Sequence, residues 1–252
     1  MVEVNNNQNV ESKPTVSVQG DEFAIFESRP SLPIFASDYG SKTDSYFDGK
    51  LLELMAYTSL RVFITVLSLG LLAPFGKCIY NKFIYSHTII NGKRLKFEGD
   101  PFDLYAHYFR WNFFRLITLG IYSFWIPVRY KEWELSHVHF EDEPLVDGDS
   151  YFFGTVGNYF LICLLVWFIR IISFGLLMPV AHVVSRKWFL NHSIINRKRV
   201  VYDGKGLNFL FKNIGWILLT VITLGIYGLW IPIKIIRWDT SNTRLMRRNE
   251  LI

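Results

Sequence analysis

Cysteine is nearly absent, with Cys78 and Cys163 the only two in 252 residues, and two cannot staple a chain of this length, which excludes a disulfide scaffold. Neither stands in a metal or redox spacing, so both read as packing residues. Charge is also scarce: Asp, Glu, Lys and Arg make up 19%, against about 25% in an average soluble domain. No phosphate-cradling glycine loop, dinucleotide glycine motif, zinc-protease helix or Cys-x-x-Cys pair occurs, and no serine nucleophile elbow. No cofactor, metal or enzymatic activity is therefore expected. Met1 to Asn9 contain neither a basic nor an apolar signal region, so no cleavable signal peptide is expected. Half of the chain is hydrophobic and 17% aromatic, with a mean hydropathy of +0.20, which excludes a wholly disordered protein. A net charge of +5 is too small to argue for nucleic acid. Few charges and many aromatics together point to a bilayer, where the surplus Lys and Arg belong on the cytoplasmic side.

Residues 1–44 are polar, rich in Asn and Ser, and interrupted by Pro14, Pro30 and Pro33; they read as a disordered tail whose one apolar cluster is Phe23-Ala24-Ile25-Phe26. From Tyr46 onward the chain repeats itself. A displacement of 105 residues superimposes Gly49 on Gly154, Gly70 on Gly175, Pro74 on Pro179, Asn91 on Asn196, Trp111 on Trp216, Gly120 on Gly225 and Trp133 on Trp238, without a gap. This is a tandem duplication, with repeats over residues 45–149 and 150–252. Each half is itself weakly twofold. An aromatic-x-Gly ends at Gly49, Gly99, Gly154 and Gly204; a Ser/Thr-x-Gly ends 21 residues later at Gly70, Gly120, Gly175 and Gly225; a polar pair follows at His87, His137, His192 and Asn242. The unit of about 50 residues is thus used four times, and its texture predicts a helix, a glycine break, a second helix and a β-hairpin, with Asn91-Gly92 as the clearest hairpin turn.

Apolar stretches over 51–76, 156–184 and 207–236 have the length of about 20 residues that a spanning helix needs, whereas only 13 uncharged positions separate Arg115 from Arg129. Basic loops at 77–110 and 185–212 and an acidic connection at 132–149 favour single spans over re-entrant hairpins, although the basic residues Lys234, Arg237, Arg244, Arg247 and Arg248 fit re-entrant hairpins better. The fold class expected is a mainly α membrane protein with short β-hairpins, built of four helix–hairpin modules.

The motifs Phe47-Asp48-Gly49, Ser68-Leu69-Gly70, the run His87 to Gly99, Thr118-Leu119-Gly120-Ile121-Tyr122 and its repeat at Thr223-Leu224-Gly225-Ile226-Tyr227 resemble those of bacterial YjgN-like multipass inner-membrane proteins, over about residues 46–243. The resemblance implies a bacterial cytoplasmic (inner) membrane location, multipass or re-entrant, and no known activity.

Candidate contacts for lipid or an anion are the arginines within apolar segments, Arg61, Arg115 and Arg170, which must snorkel, pair or face a wet interior. The basic hairpins add Lys93, Arg94, Lys96, Arg197, Lys198 and Arg199. His87, His137, His192 and Asn242 occupy one repeat position; since Asn is a poor ligand for transition ions but bonds backbone groups as His does, a structural role is expected there rather than a metal. The functional expectation is a non-enzymatic integral membrane scaffold or assembly subunit touching anionic lipid, with membrane lipids and protein partners or a homo-oligomer as its company. The alternative is a small transporter or channel whose arginines line an anionic path.

Overall fold

The structure, a computed structural model, describes residues 44–246; the tail with its Phe23–Phe26 cluster, and Arg247 and Arg248, lie outside the described residues. The first half runs β1 (Tyr46–Phe47), α1 (Leu51–Leu67), α2 (Ala73–Ser86), β2 (Thr88–Ile90), β3 (Lys93–Phe97), α3 (Pro101–Ile117), α4 (Ile126–Ser136) and β4 (Val138–Phe140). The second runs β5 (Tyr151–Phe152), α5 (Val156–Ile172), α6 (Met178–Asn191), β6 (Ser193–Ile195), β7 (Lys198–Tyr202), α7 (Gly206–Ile222), α8 (Ile231–Ser241) and β8 (Thr243–Leu245). Every helix and strand of the first half returns with the same bounds 105 residues later.

The membrane-spanning expectation is corrected here. The longest helices have 17 residues, about 25 Å at 1.5 Å per residue, against a hydrocarbon core of about 30 Å. Among the described residues no helix is long and apolar enough to cross a membrane. The long apolar stretches were each counted through a chain reversal. The stretch 51–76 is two helices folded back at Gly70, 156–184 turns at Gly175 and 207–236 at Gly225. The description as a transmembrane protein, and the multipass or re-entrant inner-membrane location with it, gives way to a mainly helical fold with two small antiparallel sheets.

Each reversal is the same device. The residue before the glycine and the glycine itself are both left-handed, as in Leu69 (φ 50°) and Gly70 (φ 88°), and the glycine N–H reaches the carbonyl five residues back, Gly70 to Thr65 at 2.7 Å, satisfying groups that a helix end leaves open. Prolines then stand in the first turn of each returning helix, α2, α4, α6 and α8, where the missing N–H has no partner to lose.

The strands lie in the order β1-β2-β3-β4 and β5-β6-β7-β8, antiparallel throughout. Helical hairpins connect β1 to β2 and β3 to β4, so the four modules are not identical. A strand hairpin follows α2 and α6, whereas α4 and α8 each lead into a single strand that pairs back on its predecessor. Asn91 and Gly92 turn the first hairpin with positive φ at both; in the second, Asn196 and Arg197 hold the same conformation. A Cβ in that region is strained, and Asp149, 2.7 Å from the Arg197 guanidinium, anchors the residue that replaces glycine.

The two sheets clasp each other reciprocally. The Asn91 side-chain oxygen accepts the Leu245 N–H at 3.0 Å, and Asn196 accepts the Phe140 N–H at 2.9 Å, so each hairpin turn satisfies the edge strand of the opposite half. Around the molecule α2 packs on α3, α4 on β5, α6 on α7 and α8 on β1; the last contact closes the circuit with Arg237 donating to the Gly49 carbonyl at 3.2 Å. The aromatic-x-Gly motif has a steric cause: a Cβ on Gly49, Gly99, Gly154 or Gly204 would stand 2.3–2.6 Å from the ring two residues earlier. The ring lies over its own glycine and inward, burying Phe47, Phe97, Phe152 and Tyr202.

Candidate functional site

Two features stand apart from ordinary packing, and the first is the set of helix-hairpin apices. The residue preceding each apical glycine is a large hydrophobe in bare exposure: Leu69 94%, Leu119 93%, Phe174 99% and Leu224 94%. All four have φ near 50°, which costs a non-glycine residue about 1 kcal/mol or more. The polar groups of the apex are turned inward. The Ser68 hydroxyl donates to the Ile64 carbonyl at 2.7 Å and accepts the Leu72 N–H at 2.9 Å. Thr118, Ser173 and Thr223 repeat both bonds. Exposed apolar side chains extend down the outer helices, including Phe63, Val66, Phe109, Phe113, Phe168, Ile172, Leu218 and Ile222. Contiguous apolar exposure on this scale is a contact surface for another phase or molecule. Trp125 and Trp230, half-exposed, follow the apices of the second and fourth hairpins.

The second feature is a cavity of about 620 Å³ bounded by the inner helices α2, α4, α6 and α8 and floored by the strands. Its first half carries Lys77, Asn81, Tyr130, Lys131 and Glu134. The Glu134 carboxylate, nearly buried, accepts from Asn81 at 3.0 Å and Lys131 at 2.7 Å, and Asn81 also donates to the Tyr130 hydroxyl at 2.5 Å. Lys77 donates to the Tyr108 hydroxyl at 3.2 Å and sits 3.1 Å from the centre of the Tyr130 ring. Burial lowers the Lys77 ammonium to about 8, Glu134 opposing and Arg61 and Lys131 adding to the shift. In the second half Asp239, also buried, accepts from His182 at 3.1 Å, Arg186 Nε at 3.0 Å and the Tyr202 hydroxyl at 2.9 Å. Burial pushes its carboxyl up, but the His182 hydrogen bond and the Arg186 guanidinium outweigh that and hold it below the usual range.

These residues correspond across the duplication: Lys77 to His182, Asn81 to Arg186 and Glu134 to Asp239, each 105 apart. None was singled out from the sequence. The signal available was three polar pairs at the repeat offset.

The residues that were singled out have other surroundings. Arg61 lays its guanidinium over the Tyr80 ring at 5.1 Å, with its backbone against Gly76. Arg115 borders a shallow hollow beside Leu119 and Gly120, and Arg170 stands in the last turn of α5; the three occupy different helices. Five of the six basic hairpin side chains meet a carboxylate within the chain. Lys93 and Lys198, repeat equivalents, both reach one Glu143 oxygen at 2.5 Å; Arg94 pairs with Asp48 at 2.6 Å and Lys96 with Glu98 at 2.7 Å. Arg197 pairs with Asp149, and Arg199 approaches the Asn191 carbonyl at 3.3 Å and the Phe153 ring. The acidic connection therefore serves these cations. His87, His137 and His192 donate from Nδ1 to the carbonyl four residues back at 2.9, 2.8 and 2.7 Å, and Asn242 does so from its amide at 2.7 Å. Each closes its own helix end, and among the described residues no group of three or more His, Cys, Asp or Glu is placed to hold a metal.

Comparison with protein-family models, with curated proteins and with solved structures found no match, so the YjgN-like resemblance rests on the quoted motifs alone.

Proposed function

We propose that this protein is a non-enzymatic scaffold that lies on a lipid surface, its helix-hairpin apices seated in the boundary between headgroups and acyl chains. The observation that carries this reading is the fourfold recurrence of an exposed left-handed Leu or Phe at an apex whose hydroxyl and glycine N–H are bonded internally. In water the exposed side chain itself contributes nothing to offset the strain. In an apolar boundary the side chain is buried, which is worth about 1.5–3 kcal/mol for a full Leu or Phe, and the N–H of the apical glycine is already bonded to the carbonyl five residues back. Interfacial elements of this kind sit about 5–10 Å deep. Since five of the six basic hairpin side chains already meet a carboxylate of this chain, apolar burial rather than headgroup charge is expected to dominate the contact.

Co-sedimentation with vesicles tests the reading. The protein is expected to pellet with neutral phosphatidylcholine vesicles nearly as well as with vesicles containing anionic lipid. Leu69→Ser, Leu119→Ser, Phe174→Ser and Leu224→Ser are expected to weaken partitioning about tenfold each, about 1.4 kcal/mol per apex. Partitioning unchanged in the fourfold variant would refute it.

A further inference from the structure

The cavity between the inner helices calls for a ligand of its own, independent of the lipid contact. Its 620 Å³ falls within the range of small-molecule sites, which combine apolar walls with a few fixed polar groups. Ile90 and Leu95 from one sheet and Ile195 and Val200 from the other supply an apolar floor. The charges above that floor do not balance. Lys131 is matched by Glu134, and Asp239 is matched by His182 and by Arg186 through Nε alone. Two sets of donors remain. Lys77 hydrogen-bonds only to neutral groups, a phenol oxygen and an aromatic face, with the Glu134 carboxylate acting on it through space; Arg186, its side chain 44% exposed, engages Asp239 through Nε and leaves its terminal Nη groups open. A largely buried ammonium bonded only to neutral groups is costly, and an anion brought to it lowers that cost. A guanidinium presenting its outer nitrogens is suited to carboxylate or phosphate oxygens.

We propose that this cavity binds an amphipathic anion, its carboxylate or phosphate held by Lys77 and Arg186 and its apolar body resting on Ile90, Leu95, Ile195 and Val200. Such a ligand has two sources, a chain-bearing lipid derivative or a compact soluble acid.

Isothermal titration calorimetry on the full chain, with probes below their micellar concentrations, separates the outcomes. Dodecanoate and dodecyl phosphate represent the first source, benzoate and phenyl phosphate the second. Saturable binding of one pair at one molecule per chain is expected, and the tighter pair identifies the source. Lys77→Met and Arg186→Met are each expected to weaken it at least tenfold, with Lys77→Arg recovering part of the loss. Lys77→Met removes a buried charge and so does not threaten folding; thermal unfolding checks both variants. The fourfold apex variant is expected to bind the probes normally, which distinguishes cavity binding from partitioning at the apices. Absence of binding by all four acids would overturn the proposal. So would dodecanol binding as tightly as dodecanoate, or unchanged affinity in both Met variants.

Discussion

Lys77 shows how much a single side chain can be decided by where the fold places it. In sequence it belongs to a basic loop and counts toward orientation; in the structure it faces the cavity, held near 8 by burial. An unfolded lysine titrates near 10.5, so between about pH 8 and 10.5 the unfolded chain binds more protons at this residue than the folded one, and stability rises with pH across that window. Cys78 acts in the opposite sense. Burial lifts its thiol from 9.0 to about 12, so above pH 9 the unfolded chain loses a proton that the folded chain keeps, and stability falls. Tyr85 and Tyr108, lifted by burial to about 12 from 10.0, add to the fall above pH 10. The urea midpoint is expected to climb from pH 8 to about 9 and then decline; in Lys77→Met the climb is lost and the decline remains. A climb that persists in the variant would show that another group causes it. The role of Cys78 as a packing residue was legible from its apolar neighbours. The depressed lysine was not, because its desolvation comes from Tyr108, Tyr130 and other residues far along the chain.

At the level of elements, the sequence marks boundaries better than partners. Asn91-Gly92 announces its turn through local conformation alone, and the Ser/Thr-x-Gly motif announces its break. The error lay in counting hydrophobic length through that break, since a spanning helix and a folded pair of shorter helices have the same composition. What the turn does for the opposite half was invisible, because the Asn91 amide meets a strand 154 residues away. That clasp makes a specific prediction. Asn91→Gly keeps the left-handed turn but deletes the amide, leaving the buried Leu245 N–H without its acceptor, at a cost of about 1–3 kcal/mol. Asn196→Gly does the same to Phe140. Chemical denaturation is expected to give a lower midpoint for each; single variants with native midpoints would mean that the clasp carries no stability.

For the whole molecule, duplication is the organising fact, and it was readable because glycine, proline and tryptophan positions are fixed by steric need. A copied chain places equivalent residues in equivalent surroundings. Its departures from symmetry then mark where the halves meet: Glu143, whose repeat equivalent in the sequence is Arg248, bridges Lys93 and Lys198. In the cavity Asn81 in one half becomes Arg186 in the other, adding the cation that gives the site its sign. Copying also repeated the apolar apex four times, which adds to the apolar surplus that composition alone assigned to spanning helices. The proposed lipid contact is one of depth: the apices would lie in the boundary without crossing it. Its most direct measurement is quenching of the intact protein's tryptophan fluorescence by phosphatidylcholine brominated at successive acyl positions, with Trp125 and Trp230 beside the apices as reporters. Quenching is predicted to be strongest for bromines near the headgroup end of the chain and to fade toward the bilayer centre. Absence of quenching at every position, or quenching as strong at the centre as at the boundary, would contradict it.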